Sequence, residues 1–276
     1  MKLYQMADPI RYARMTTPEL RETFLLEDLF KPGQIDLAYV DLERTVIGSA
    51  VPTSAPLTLE SQPELRAEYF LERRELGVFN VGGPGTVTVD GTAYNVVKMD
   101  CLYVGRGSKS VTFASADADN PANFYLLSYL ARADYPTALA KFADLEGLKL
   151  GSQETCNKRT IYKAIFADGI KSCQLVMGFT LLAPGSNWNT MPPHTHMRRS
   201  ETYFYFDVDP AHRVVHLMGP PDETRHIVMA NREVVVSPGW SIHAGVGTSS
   251  YIFCWGMGGE NQEYTDMDPA TIPGLR

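Results

Sequence analysis

Long apolar runs and an excess of basic residues are both absent from this sequence. Its 276 residues include 25 Lys and Arg against 32 Asp and Glu, which gives a formal net charge of -7. A membrane-spanning helix needs about 20 consecutive apolar residues, and a nucleic-acid-binding surface needs a basic patch. We therefore expect no membrane span and no nucleic-acid partner.

Close cysteine pairs and a secretory signal are also missing. The N-terminus lacks a charged stretch followed by an apolar one. The four cysteines, Cys101, Cys156, Cys173 and Cys254, are scattered without the spacing of a zinc ribbon. We expect reduced thiols in the core of a cytoplasmic protein.

Histidine is missing from the first 193 residues, and all six histidines lie between His194 and His243. In an extended segment, His194 and His196 point to the same face. Glu201 has the opposite parity, so a turn over Met197 to Ser200 must intervene if all three side chains converge.

His243 is the best candidate for a fourth ligand, because it ends a Pro-Gly turn between two apolar runs. Three imidazoles and one carboxylate suit zinc, or divalent manganese, iron, cobalt or nickel, with room for a water or a substrate oxygen. A His-x-His pair alone is more often surface or hydrogen-bonded structure. The addition of Glu201 and His243 favours a metal site.

Short β-prone runs recur at close spacing in both halves of the chain. The first set covers 77–81, 86–89, 93–97, 102–104, 111–114 and 124–129, and the second set lies between 161 and 255. Asp90-Gly91 is a strong hairpin signal, and the pattern predicts antiparallel barrels or sandwiches. Arg73-Arg74-Glu75 corresponds faintly to Arg198-Arg199-Ser200-Glu201, which indicates a duplication. Only the second copy, which has the histidines, should carry chemistry.

His-Thr-His, the following Glu and the later Pro-Gly turn before His243 resemble the metal site of the cupin superfamily. Several longer segments resemble the family of 5-keto-4-deoxyuronate isomerases, which act in pectin breakdown: residues 189–206, 223–229, 255–262 and 70–78. The adjacent Pro238 and Gly239 depart from the general cupin spacing of one intervening residue. This departure does not affect the match to the isomerase family.

The resemblance implies an all-β bicupin, with two jelly-roll-like antiparallel barrels and short helices in an N-terminal extension and a connector. We expect an extension at 1–62 that packs on the barrels, a metal-free barrel at 63–130, a connector at 131–154 and a metal-binding barrel at 155–276. One short helix should begin at Thr17-Pro18 and stop at Pro32-Gly33, and another should cover Thr137 to Leu145.

The resemblance also implies an acidic open-chain sugar substrate, one zinc ion per subunit and a homohexamer. The reaction would be an aldose-ketose exchange, in which a proton moves between adjacent carbons through an enediolate. A cupin-type iron oxygenase could use the same four ligands, and a non-catalytic sugar-binding or regulatory cupin is a third interpretation. The absence of a DNA-binding helix pair disfavours a regulator.

Further side chains are candidates for contact with the substrate. Lys158 and Arg159, near Lys163, form a basic cluster in an acidic protein, either a solvated face or a carboxylate-binding site. Trp188 precedes the ligands, and it either lines the pocket mouth or packs in a turn. Arg199 shares the parity of Glu201 and either reaches the pocket or forms a salt bridge.

Two residues are candidates for proton transfer. Glu201 is one, in addition to its role as a ligand. His226, in Thr-Arg-His-Ile-Val-Met, is either a structural histidine or an acid or base. The sequence does not identify the base.

Overall fold

The computed structural model describes residues 1–263 and 265–276. The α-helices are α1 (Pro9–Tyr12) and α2 (Thr17–Phe24). The strands of the first part of the chain are β1 (Lys2–Tyr4), β2 (Leu25–Leu26), β3 (Ile35–Val40), β4 (Thr45–Ala50), β5 (Leu57–Thr58), β6 (Arg74–Asn80), β7 (Gly85–Val89), β8 (Thr92–Val96), β9 (Cys101–Val104), β10 (Val111–Ser115), β11 (Phe124–Leu130) and β12 (Ala138–Ala140).

The strands of the second part are β13 (Gly147–Leu150), β14 (Arg159–Ile165), β15 (Val176–Leu182), β16 (Trp188–Asn189), β17 (His194–His196), β18 (Ser200–Phe206), β19 (Val214–Gly219), β20 (Arg225–Met229), β21 (Glu233–Ser237), β22 (Ile242–Gly247), β23 (Ile252–Gly258) and β24 (Met267–Pro269). Short 3-10 helices occur at Leu42–Arg44, Pro63–Leu65, Phe142–Asp144 and Ile272–Gly274.

The chain divides into two units. Unit 1 comprises residues 1–4, 28–145 and 164–176, and unit 2 comprises residues 5–27, 146–163 and 177–276. This division differs from the predicted one. The predicted extension 1–62 contributes strands to both units, and the segment 164–176 belongs to unit 1 rather than to the metal-binding part.

Both units have a seven-stranded and a four-stranded sheet with matching strand orders. In unit 1 the orders are β1-β3-β4-β11-β6-β9-β12 and β5-β10-β7-β8. The second pair of sheets has the orders β13-β14-β15-β23-β18-β21-β2 and β16-β22-β19-β20. Position by position, β6 therefore corresponds to β18, β9 to β21, β7 to β19 and β10 to β22. The predicted duplication is present in the topology.

Alternating side chains and a tight turn define the β7–β8 hairpin. Val87 and Val89 are buried, whereas Thr86 and Thr88 between them are partly exposed. Asp90 and Gly91 both have positive φ, 47° and 83°, as a two-residue type I′ turn requires. Val89 and Thr92 are paired at the closed end. The hairpin predicted from Asp90-Gly91 is confirmed.

Unit 1 encloses an apolar core between its two sheets. The seven-stranded sheet contributes residues such as Leu76, Val78 and Leu102, and the four-stranded sheet contributes Val87 and Phe113, all fully buried. Truncating one of these large side chains to Ala should cost about 2–5 kcal/mol of stability. Apolar side chains thus fill the space between the two sheets of unit 1.

One buried carboxylate in unit 1, that of Glu75, serves as a structural hydrogen-bond acceptor. Glu75 is fully buried and accepts hydrogen bonds from the hydroxyl of Tyr103 at 2.9 Å and from the backbone N–H groups of Cys173, Gln174 and Leu175 at 2.7–2.8 Å. Four donors at these distances satisfy the carboxylate without a cation. Glu75 thereby anchors the segment 164–176 in unit 1.

The helix predicted from Thr17-Pro18 exists but is shorter than expected. Its N-cap is Thr16, whose backbone N–H and hydroxyl donate to the carboxylate of Glu19 at 2.6 and 2.8 Å. It ends at Phe24 because Leu25 and Leu26 pair with β21 as an edge strand. The predicted stop at Pro32-Gly33 was therefore wrong.

The connector helix predicted for Thr137 to Leu145 was largely wrong. Ala138–Ala140 form strand β12, which pairs with β9 through Leu139 and Leu102, and only Phe142–Asp144 make a 3-10 turn. The edge of β9 offers unpaired backbone groups that a strand satisfies, and Leu139 packs against the apolar core. Tertiary pairing outweighs the local helix propensity here.

All four cysteines are free thiols. Cys101 and Cys254 are buried, as expected, but Cys156 is exposed and Cys173 is half-buried, so the expectation of four core residues was wrong for these two.

Within the described residues, no helix combines the length and apolar character that a membrane crossing requires.

Candidate metal centre

The two histidines of the His-x-His motif lie on β17, a strand outside the four larger sheets. Among the described strands, β17 pairs with β24, with His194 opposite Pro269 and His196 opposite Met267. The backbone N–H of His196 also donates to the carbonyl of Gly239 at 3.0 Å. The predicted turn follows, although Ser200 already belongs to β18.

Two arginines in this turn bind the segment that leads into β24. The guanidinium of Arg199 is buried, and its Nε lies 3.0 Å from Oδ1 of Asp266. Arg198 forms ion pairs with Glu260 at 2.7 Å and with Asp266 at 3.2 Å. Arg199 thus points to Asp266 and does not line the cavity described below. These ion pairs hold the ligand-bearing strand against the C-terminal segment.

The structure brings His194, His196, Glu201 and His243 together. One ligand atom from each lies within 4.8 Å of all the others. Among the described residues, this is the group of His, Cys, Asp or Glu side chains that could hold a metal ion. Nε2 of His243 lies 3.0 Å from Nε2 of His194 and 2.9 Å from Oε2 of Glu201, and Nε2 of His196 lies 3.2 Å from the same oxygen. All three rings therefore present Nε2 to one point.

Electrostatics give His194 and Glu201 the protonation states that a cation requires. Burial, followed by the charge of His243, lowers the pKa of His194 to about 3. Burial acts to raise the pKa of Glu201, but the charge of His243 and hydrogen bonds from His196 and His243 outweigh it and hold the pKa below its usual range. A neutral imidazole and an ionised carboxylate are the forms that bind metal. This donor set fits a divalent ion of the zinc type.

The cluster faces a cavity of about 320 Å³ in unit 2. The lining residues are Leu148, Leu150, Arg159, Ile161, Lys163, Thr180, Thr190, Pro192, His194, His196, Glu201, Tyr203, Phe253, Trp255, Met257 and Met267. The hydroxyl of Tyr203 lies 2.8 Å from Oγ1 of Thr190, and Nε1 of Trp255 donates to Oγ1 of Thr180 at 3.1 Å. The wall is mainly apolar, with a few polar groups held in fixed directions.

The structure separates the other predicted site residues. Arg159 lines the cavity, as does its neighbour in the cluster, Lys163, whereas Lys158 is exposed and does not. Trp188 is half-buried on β16, and His226 is exposed on β20; neither lines the cavity. The basic cluster predicted from the sequence is thus divided between two faces of one segment.

His216 is an interior residue that the sequence reasoning missed. It is fully buried on β19, and its Nδ1 lies 2.8 Å from the hydroxyl of Tyr205. Burial, followed by the charge of His243, lowers its pKa to about 3. The signal was available, because Val214, His216 and Met218 alternate along one strand and share the inward face.

Comparisons by sequence found a matching family model and similar proteins. The model of the KduI/IolB family matches residues 28–272. A protein of Lachnoclostridium phytofermentans named 4-deoxy-L-threo-5-hexosulose-uronate ketol-isomerase is 51% identical over 276 residues, which cover 100% of both chains.

Solved structures confirm the fold class. An IolB-like protein from Salmonella typhimurium LT2 superposes with a TM-score of 0.71 at 12% identity, covering 90% of this chain and 97% of that one. Oxalate decarboxylase of Bacillus subtilis gives a TM-score of 0.57 at 10% identity, covering 81% and 71%. At such identities the likeness concerns the fold alone, which is the predicted all-β bicupin.

Proposed function

The chain belongs to the KduI/IolB family, and from this membership we propose that it is a ketol-isomerase of uronate breakdown. Its substrate in this proposal is 4-deoxy-L-threo-5-hexosulose uronate, the compound in the name of its relatives. Ketol isomerisation of that compound gives 3-deoxy-D-glycero-2,5-hexodiulosonate. The observation that carries the proposal is identity of about half of all residues over the full length of a named ketol-isomerase. The cluster of three histidines and Glu201 in a cavity supports it.

The exchange of an aldehyde and a neighbouring hydroxyl moves one proton between two carbons through an enediolate. A divalent ion held by His194, His196, Glu201 and His243 would supply Lewis acidity for the carbonyl oxygen on which negative charge develops. Zinc is the proposed ion because it provides this acidity without redox chemistry, although manganese, iron, cobalt or nickel suit the same donors.

The residues around the cluster contribute binding and orientation. The apolar wall formed by Phe253, Trp255 and Met257 excludes water from the reacting carbons. The hydroxyl of Tyr203, which the hydrogen bond with Thr190 directs, can donate to a substrate oxygen next to the cluster. Glu201 serves as a ligand in this proposal, and the base is left unassigned.

Positions relative to the cavity decide which predicted contacts remain in the proposal. Arg159 keeps a substrate-binding role because it lines the cavity. Lys158, Trp188 and Arg199 are not included, because none of them lines it. His226 is likewise not included as an acid or base, since it is exposed on β20.

The assembly and location of the protein are proposed from the family resemblance. A homohexamer in the cytoplasm is expected, and the four free thiols are consistent with a reducing compartment. Sedimentation of the purified protein will measure the number of subunits. A stable monomer would contradict the proposed assembly.

The reaction is tested with the metal-free protein reloaded with zinc under nitrogen. The zinc form should convert the uronate to the diketo product without oxygen, and NMR measures this conversion. The metal-free form should be inactive. A zinc form that is inactive under nitrogen, with turnover only after ferrous iron and oxygen are added, would favour an oxygenase. Binding of the uronate without any turnover would favour a sugar-binding protein.

A further inference from the structure

Strand β14 presents two cations to the cavity. Arg159, Ile161 and Lys163 line it, as the period of two along a strand requires. Tyr162, between them, stacks on Phe179 with ring centroids 5.2 Å apart. The spacing of Arg159 and Lys163 thus places both charged side chains on the same face as the metal cluster.

The described part of the cavity wall supplies no free carboxylate for the guanidinium of Arg159. Among the described lining residues, Glu201 is the only carboxylate, and it is engaged by His196 and His243. Arg159 is half-buried, and its hydrogen bond within the segment goes to the carbonyl of Asn157 at 2.9 Å. A partly buried guanidinium in an apolar wall is costly unless an anion binds there.

The lining residues follow successive strands of one sheet. Glu201 lies on β18, Trp255 on β23, Thr180 on β15 and Arg159 on β14, in the spatial order of the strands. Three strand spacings separate β18 from β14, or about 14 Å along the sheet at roughly 4.8 Å each. A six-carbon chain together with one long Arg or Lys side chain can span this distance.

On the basis of the proposed function, we infer that Arg159 and Lys163 form the carboxylate-binding end of the substrate cavity. A linear uronate then lies with its carboxylate at β14 and its carbonyl and neighbouring hydroxyl at the metal cluster. A guanidinium fork and an ammonium group recognise a carboxylate through charge-assisted hydrogen bonds. The pair orients the substrate and selects acidic sugars over neutral ones.

The kinetic test uses Arg159→Gln, Lys163→Met and the double variant. Because the carboxylate is remote from the reacting carbons, its contact is equally strong in the ground state and the transition state. Each single change should raise KM for the uronate by about 10-fold or more, with kcat changed by less than about 3-fold. Lys149→Met is the matched control, since Lys149 is exposed on the neighbouring strand and does not line the cavity.

A binding test separates this inference from the proposed reaction. Gluconate and glucitol differ only in a carboxylate, and calorimetry on the zinc-loaded protein measures their affinities whether or not the enzyme turns over the uronate. The wild type should prefer gluconate, and Lys163→Met should reduce that preference by about 10-fold at unchanged zinc content.

Two results would overturn the inference. One is an unchanged KM in all three cavity variants. The other is a gluconate preference that persists in the double variant, which would place the carboxylate at the metal instead. If the uronate is not isomerised but the gluconate preference depends on Lys163, the proposed function fails and the carboxylate site stands.

Discussion

In unit 1, Leu76 on β6 is paired with Val104 on β9, whereas at the corresponding positions of the other unit Glu201 on β18 is paired with Ser237 on β21. Val104 is the last residue of β9 and Ser237 the last residue of β21, so each pair lies directly before a turn. Leu76 belongs to an apolar core, and Glu201 belongs to the metal cluster. The same place in the same sheet order thus holds a hydrocarbon in one unit and a buried carboxylate in the other.

The four-stranded sheets differ in the same way. On β10 and β7, Val111 faces Val89, while on β22 and β19 His243 faces Met218. Two residues before Val89 and Met218, Val87 on β7 corresponds to His216 on β19. The duplicated strand order is compatible with either interior, because backbone pairing and turns define it, and the inward side chains decide whether the unit has a packed core or a reactive cavity.

Introducing the carboxylate of unit 2 into unit 1 should have the largest effect. Leu76→Glu places a carboxyl group in a core whose buried neighbours are apolar and cannot pair with it. We expect the free energy of unfolding to fall by about 3–5 kcal/mol, a large share of the usual total of 5–15 kcal/mol. Urea unfolding followed by circular dichroism measures the change.

Leu76→Met is the matched control, because it conserves volume and should cost less than about 1.5 kcal/mol. Tryptophan fluorescence can be recorded in parallel, since Trp188, Trp240 and Trp255 all lie in unit 2. A Leu76→Glu protein as stable as Leu76→Met would mean that the core of unit 1 tolerates charge, and the comparison would lose its basis.

The reverse exchange should remove the metal centre. Glu201→Leu gives unit 2 the residue that unit 1 has, and it deletes one of the four donors. Changes beside a metal ligand cost about 10-fold to 100-fold in affinity, so loss of the ligand itself should weaken zinc binding by at least about 100-fold. Competition with a chromophoric chelator measures the dissociation constant.

Stability should respond far less than zinc binding to this exchange. Glu201→Leu removes a buried charge and leaves two imidazoles without an acceptor, effects of opposite sign that should leave metal-free stability within about 2 kcal/mol of the wild type. Glu154→Leu, at an exposed position, controls for loss of a carboxylate elsewhere. Unchanged zinc affinity in Glu201→Leu would remove this residue from the site.

Local sequence patterns were enough to predict the four candidate ligands, but not the strands that pair at a distance. The parity of His194 and His196, the turn before Glu201 and the Pro-Gly turn before His243 are local patterns, and they sufficed to assemble the four candidate ligands. Two predictions were wrong where distant pairing decides the outcome: Ala138–Ala140 became a strand on the edge of β9, and Leu25–Leu26 became a strand on the edge of β21.

Side-chain direction limited the rest of the site prediction. Lys158, Arg159 and Lys163 are one cluster in the sequence, but the strand period sends only Arg159 and Lys163 into the cavity. Arg199 has the parity of Glu201, yet it lies in the turn before β18 and pairs with Asp266, which is 67 positions later. No local sequence pattern predicts an ion-pair partner that is so distant in the chain.

The smallest effect concerns His216, whose place in unit 1 is occupied by Val87. The folded-state pKa of about 3 lies below the ordinary 6.5, so below pH 6.5 the unfolded chain binds a proton that the folded chain does not. This contribution to stability is complete above pH 6.5 and is lost as the pH falls toward 3, by up to about 1.4 kcal/mol per pH unit.

His216→Val should remove this acid sensitivity. At neutral pH the variant should be less stable by about 1–2 kcal/mol, because the buried hydroxyl of Tyr205 loses its hydrogen bond with His216. As the pH is lowered, the wild type loses stability because His216 binds a proton in the unfolded chain, and the variant has no such loss. The two stability curves should therefore converge and cross at about pH 5. Urea unfolding midpoints at several pH values, recorded with a chelator so that no bound metal contributes, measure both curves. Curves that stay parallel from pH 7 to pH 4 would show that His216 is protonated in the folded protein, and the interior of unit 2 would then be less sealed from water than its burial indicates.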